Sequence, residues 1–271
     1  IINNAVSYKK GASGFSRSSY DTAVYIPEYY FRIVDDATNK KRYFYIADKA
    51  KSGFTKHPGS GKYVGRYNTI SGYYSKTGSK PLANITRATA RTNSKNKGSK
   101  WGQYDFASWC AVWLLYLVEF ADWNSQSVIG IGICGSSSMA NTGGTDSMNY
   151  HTGTAASSRT TAGAVQYRNI ENPWGNIWEW IDGVNFSDGT VYVCTTPANY
   201  ADDTTTGYTN AGTKMQSDSW IKAIGISSAA PWAFFPTEVG GSETTYIPDY
   251  AYYYSGWRVL NVGGNYSNTT G

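Results

Sequence analysis

Glu171-Asn172-Pro173-Trp174-Gly175-Asn176-Ile177-Trp178-Glu179-Trp180 is the stretch on which the reading of this chain turns. Trp174, Trp178 and Trp180 bring large apolar faces, and each indole N–H needs an acceptor once it is buried. Gly175 permits a left-handed backbone that a Cβ atom disfavours. Asn176 and Glu179 supply side-chain oxygens that can hydrogen-bond loop backbone. Such a segment pins long irregular loops to a core.

Working outward, Val165-Gln166-Tyr167-Arg168-Asn169-Ile170 leads into this stretch. A strand over Val191–Thr195 follows the turn Asp188-Gly189. The strongest helix signal runs from Asp105 to Trp123, where Phe106, Trp109, Cys110, Trp113, Leu114, Leu117 and Phe120 recur at three- and four-residue steps. Asn124–Ser127 then leads to an apolar strand expected over Val128–Ile133, whose small residues imply close packing. Near the N-terminus one strand is expected over Ala23–Val34, with Tyr29, Phe31 and Ile33 on one face. Asp35–Lys41 forms a turn, and Arg42–Ala47 returns as a hairpin partner. Tyr63–Tyr67 is a further short strand. Residues 135–163 and 197–219, rich in Ser, Thr, Gly and Asn, read as long surface insertions without a core of their own. Residues 1–271 are therefore expected to form a single domain, read as a fragment of a longer protein.

Downstream lies Gly256-Trp257-Arg258-Val259-Leu260-Asn261-Val262-Gly263-Gly264-Asn265-Tyr266. The ordered pair of motifs resembles the formylglycine-generating-enzyme branch of the C-type lectin folds. That branch carries a G-N-V-W-E-W segment and a later R-V-x-R-G-G-S-W/F segment. The order is also similar to tail-associated proteins of phages and prophages whose C-terminal stretch is diversified by a retroelement. Tyr63–Tyr67 resembles the family's Y-I-G-K-Y element, and Pro81–Thr86 with the long helix resembles its P-V-x-x-V-T-W region. The resemblance implies an α+β, C-type-lectin-like domain with long irregular loops. It casts Arg258, Gly263 and Gly264 as scaffold. Some relatives bind calcium, which leaves open a role for Asn176 or Glu179 as an ion ligand. One carboxylate makes a weak case for a site of six to eight oxygens, so no metal site and no cofactor is assigned.

The enzymes of that branch place a redox-active cysteine just after the double glycine. Here the aligned position is Asn268, which supplies no thiolate. Cys110, Cys134 and Cys194 lie elsewhere, and their odd number and spacing suggest neither a disulfide framework nor a metal site. His57 and His151 read as loop residues. A scaffold without its nucleophile points to a binder rather than an enzyme, because fold alone does not fix function. A formylglycine-generating-type oxidase and a purely structural virion protein are the alternatives.

Composition agrees with contact rather than chemistry. Aromatic residues make up 16% of the chain, matching the charged residues at 16%, so surface polarity falls to Tyr, Ser, Thr, Asn and Gly. The basic run from Arg87 to Lys100 lacks any nucleic-acid fingerprint and is expected to be a solvated loop between a strand and a helix. No nucleic acid partner and no membrane insertion are expected. Residues 246–271 lack Lys and Glu and use the vocabulary of antibody paratopes. Tyr250, Tyr252, Tyr253, Tyr254, Trp257, Asn265, Tyr266 and Asn268 are the expected ligand-facing residues. Under period two, a strand here would bury either Tyr250, Tyr252 and Tyr254, or Ala251 and Tyr253. The resemblance implies a receptor-binding or host-attachment protein on a phage tail, or at a bacterial surface if prophage-derived. Its partners would be a bacterial surface protein or glycan and other tail proteins, with a trimer as the guessed assembly.

Overall fold

The computed structural model describes residues 8–269. In chain order the strands and helices are β1 (Ala23–Ile26), β2 (Tyr30–Asp36), β3 (Lys41–Ala47), β4 (Thr55–Lys56), β5 (Lys62–Gly65), α1 (Arg87–Asn96), α2 (Phe106–Phe120) and α3 (Ser125–Val128). There follow β6 (Gly153–Thr154), β7 (Val165–Tyr167), β8 (Ile170–Glu171), β9 (Glu179–Ser187), β10 (Thr190–Val193) and β11 (Thr209–Thr213). The chain closes with β12 (Ser219–Ile226), β13 (Phe234–Val239), β14 (Tyr250–Ala251) and β15 (Trp257–Val262). The class is α+β, with strands far outnumbering helices. The largest sheet has the order β11-β10-β9-β15, and smaller sheets join β13-β12-β14, β3-β2-β4, β6-β7-β8 and β1-β5.

The core forms around α2. Asp105 caps this helix, its carboxylate accepting from Ser108 N at 2.7 Å, and Ala121 ends it in the left-handed region at φ 51°. Cys110, Leu114 and Leu117 meet Ile181, Val184 and Val191 from the large sheet and Ile26, Phe31 and Val64 from the N-terminal strands. Fully burying one such side chain is worth about 1.5–3 kcal/mol. Gly59 approaches α2 so closely that a Cβ there would sit 1.9 Å from the Ala107 carbonyl oxygen. His57, expected as a loop histidine, is fully buried against Tyr29 and Phe31. Burial pushes its pKa down to about 3, which keeps the imidazole neutral.

Four expectations are corrected. Ala23–Val34 is two strands, not one: Pro27 lies between them, and β1 pairs with β5 while β2 pairs with β3. Proline has no N–H to give to a ladder, so the chain changes sheets there. Val128–Ile133 is not a strand. Asn124 caps α3 through Ser127 N at 2.9 Å, and Gly130 and Gly132 follow at φ 147° and 77°. The expected close packing is present, since a Cβ on Gly132 would stand 3.0 Å from the Trp174 ring. Residues 197–219 are not a simple insertion, because they contain β11, an edge strand of the largest sheet.

The basic run is the fourth correction. Arg87 opens α1 and is 1% exposed, among the largest fully buried side chains. Its guanidinium answers a defect in β9. Ile181 pairs with Leu260 and Asn185 with Val259, so residues 182–184 bulge away from β15. Arg87 Nη1 donates to the Ile181 carbonyl at 3.1 Å and to the Val184 carbonyl, and Nη2 donates to Asn185 Oδ1. Asp202 balances the charge at 2.6 Å, and Arg91 bridges Asp202 to the buried Asp182. The guanidinium thus takes the place of the missing strand neighbour. Removing one partner of a buried ion pair costs about 3–5 kcal/mol. Arg87→Met is therefore expected to lower stability by about that amount in guanidinium denaturation, and Arg87→Lys to recover only part, since an ammonium lacks the planar fork.

Candidate functional site

The tryptophan segment does brace loops. Trp174 Nε1 donates to the Gly130 carbonyl at 2.9 Å, and Trp180 Nε1 to the Ile85 carbonyl at 2.8 Å. Gly175 adopts φ 77°, and a Cβ there would lie 2.7 Å from Ile133 N. Asn176 N donates to the Ile133 carbonyl at 2.9 Å, while its side-chain amide both accepts from Ala140 N and donates to the Ala140 carbonyl. Glu171, which the sequence did not single out, matters as much. Its carboxylate accepts from Gly143 N, Thr145 N and Thr145 Oγ1 at 2.6–2.9 Å. Residues 135–163, expected as an exposed insertion, are consequently tied down, with Thr142 and Thr145 buried.

The C-terminal turn docks on the same frame. Gly175 N donates to the Gly263 carbonyl at 2.6 Å, and Tyr266 N to the Asn176 carbonyl at 3.0 Å. Gly135 N and Ser136 N bond the carbonyls of Asn268 and Tyr266. Gly263 and Gly264 turn the chain at φ 90° and 67°. Asn265 Oδ1 accepts from Ser267 N and Asn268 N, and Asn268 Oδ1 accepts from Asn265 N at 2.7 Å. These two asparagines, expected to face a ligand, spend their amide oxygens on building the turn.

The other expected contact residues stand elsewhere. β15 pairs Trp257 with Ser187 at one end of β9 and Val262 with Glu179 at the other. At about 3.3 Å per residue, that strand holds the two groups roughly 17 Å apart. The expected set therefore forms two patches, not one. Tyr250 packs edge-on against Trp220 at 5.6 Å, and Tyr252 lies 5.0 Å from Tyr250. Tyr253 is half-buried under Lys214, whose ammonium stands 4.5 Å from the ring. Trp257 neighbours Tyr192 at 6.3 Å. Tyr252 is 54% exposed and Tyr254 61%, while Ala251 and Tyr253 turn inward. Only Tyr250 and Ala251 form strand, so neither period-two phase runs through the segment, and Tyr252 and Tyr254 stand outside on irregular backbone. Arg258, expected as scaffold, is an exposed residue 5.9 Å from the Tyr254 ring. Tyr246, 65% exposed, belongs to this arm and was missed, although it lies in the same tyrosine-rich stretch. Trp220, Tyr192 and Lys214 carried no sequence signal, since only strand pairing brings them here.

The arm is fixed at several points along its backbone. β14 pairs with Ser219 and Trp220 of β12, Tyr253 N donates to Asp218, and Gly256 N donates to Asp188 at 2.6 Å. Tyr246 donates its hydroxyl to the Lys222 carbonyl at 3.2 Å.

The three cysteines are free, and burial pushes the thiols of Cys110, Cys134 and Cys194 up, away from thiolate chemistry. Among the described residues no group of three His, Cys, Asp or Glu side chains is placed to hold a metal ion. The oxygen of Asn176 is taken by Ala140 N, and Glu179 accepts from Asn68 Nδ2. Among the described residues no helix is long and apolar enough to cross a membrane. Neither a scan against protein-family models nor a search of the curated proteins gives a match for the chain.

Glu179 lines a cleft, and burial of its carboxyl outweighs the Asn68 hydrogen bond and pushes its pKa up to about 8. Between its ordinary value near 4.5 and about 8, the folded state holds a proton that the unfolded state releases. Its contribution to stability is complete below the unfolded pKa and is lost as pH rises through the folded one. Glu179→Gln is expected to shrink the fall in Tm between pH 5 and pH 9, by roughly 2–4 °C for each kcal/mol of linkage removed. Thermal unfolding of both proteins across that range checks it.

Proposed function

We propose that this chain is a non-enzymatic receptor-binding protein built on a C-type-lectin-like scaffold of the formylglycine-generating-enzyme branch. It serves host attachment on a phage or prophage tail, and its ligand is a bacterial surface protein or glycan. The observation that carries this reading is the pair Tyr252 and Tyr254, turned outward on an arm whose backbone is anchored to β12 and Asp188. An exposed aromatic that is already ordered loses little entropy when a partner covers it. Trp220, packed against Tyr250, and the exposed Tyr246 add aromatic surface to the same segment, with Arg258 beside Tyr254. The resemblance to oxidases supplies no chemistry here, since Asn268 stands where they carry a cysteine and its oxygen is bound within the turn. Display in several copies on a tail would raise a weak single-site affinity by avidity.

Labelled protein applied to a panel of bacterial strains provides the test. Tyr252→Ala with Tyr254→Ala is expected to cut adsorption to the responsive strain about tenfold or more, equivalent to about 1.4 kcal/mol, at unchanged Tm. Equal adsorption by the variant would remove the arm from recognition and favour a structural virion role.

A further inference from the structure

The cleft above Glu179 encloses about 1010 Å³, at the upper end for small-molecule sites, which run roughly 300–1,000 Å³. Its floor is made at the first two residues of β9. Asn68 gives its amide N–H to Glu179, and Gln103 gives its own to the Trp180 carbonyl at 2.9 Å. Both amides thereby turn their oxygens away from these bonds. Among the described residues neither Asn68 Oδ1 nor Gln103 Oε1 finds a partner, and both atoms are shielded. Asn68 as a whole is only 7% exposed. The two amides are anchored to adjacent residues of β9, Asn68 to the Glu179 carboxyl and Gln103 to the Trp180 carbonyl, and Asn68, Gln103 and Glu179 all line the cleft. Tyr104, Trp178 and Trp180 line the same cleft. The Trp180 indole is held by its bond to Ile85, which fixes that ring.

This floor is a set of acceptors once Glu179 gives up its proton, which an incoming ammonium releases to solvent by favouring the carboxylate. Among the described residues Glu179 receives its hydrogen bond from a neutral amide, not a cation. Of the basic groups on the cleft wall, Lys62 is balanced by Asp105, Lys97 by Asp21, and Arg91 by Asp182 and Asp202, while Lys95 and Lys100 are exposed to solvent. An anionic ligand would set acceptor against acceptor. A purely apolar ligand would leave three oxygens without donors. A primary ammonium has three N–H donors, and aromatic faces attract its charge.

We infer that the cleft is a second binding site, separate from the tyrosine arm, for a primary ammonium carried on an aliphatic stem. Glu179, Asn68 Oδ1 and Gln103 Oε1 accept its three hydrogen bonds, and the aromatic walls pack the stem. A lysine side chain and a polyamine both present this group.

Isothermal titration of the intact chain distinguishes the sources. Nα-acetyl-lysine methylamide probes the side chain and spermidine the polyamine, with the Nε-acetylated lysine derivative as the neutral control. At least one amine is expected to bind at millimolar concentration or below, with the control about tenfold weaker or worse. Glu179→Gln and, independently, Gln103→Leu are each expected to weaken the amine about tenfold while the variant still unfolds cooperatively. Gln103 is partly exposed, so its substitution gives a second variant should Glu179→Gln fail to fold. The proposal is overturned if neither amine binds, if acetylation makes no difference, or if the folded variants bind as the parent does. It also falls if calcium chloride, and neither amine, raises the Tm in a Glu179-dependent manner. The Tyr252/Tyr254 variant is expected to bind amine normally, so failure at one site leaves the other intact.

Discussion

The bulge in β9 is the constraint on which the rest of this structure depends. A strand that must pair with β10 along one half and β15 along both ends cannot carry residues 182–184 without leaving backbone carbonyls unpaired. Buried carbonyls need donors. A single guanidinium provides them, and one side chain therefore couples α1, the Asp202 loop and the largest sheet. The same distortion sets Asp182 against Tyr104 and Asp105, so the N-terminus of α2 is positioned by it too. Arg66 repeats the device at the far side, buried at the junction of Thr145, Asp146, Gln166 and Asn169. Few-stranded sheets with long connections are tied together here by planar cations as well as by apolar contact.

From that frame the loops gain their order. The tryptophan segment offers backbone as well as side chains: Gly175, Asn176 and Gly263 exchange hydrogen bonds with residues 133–140 and 263–268. Glu171 reaches the next stretch of the same loop. Segments that composition marks as irregular thus become parts of a rigid surface, because their unpaired N–H groups are met by buried carboxylate and amide oxygens.

How much of this could be read from the sequence follows from how local each cause is. α2 was legible because its apolar periodicity is written within one element. The hairpin of β2 and β3 and the turn at Asp188-Gly189 were legible for the same reason. The bracing role of Trp174, Gly175 and Asn176 could be argued from residue chemistry alone. Arg87 was misread because its partners, Val184, Asn185 and Asp202, lie about a hundred residues away. A basic residue destined for a buried bulge looks in sequence like any solvated one. Val128–Ile133 misled because apolar content alone does not distinguish a strand from a packed irregular segment, and the glycine dihedrals decide between them. The contact set was legible as composition but not as geometry. Nothing between Tyr254 and Asn265 announces that β15 separates the two groups.

That separation changes what the C-terminal motif does. Its first part leaves tyrosines on an exposed arm, and its last part closes a turn against the tryptophan frame. β15 joins them and is itself an edge strand, paired to β9 on one side only. A substitution at Asn265 or Asn268 therefore acts on the anchor of the turn, through bonds to residues 135–136. A substitution at Tyr252 or Tyr254 removes exposed surface without touching any anchor. Sequence variation is cheap at the second pair and costly at the first, because only the first pair satisfies backbone groups that would otherwise stand unpaired.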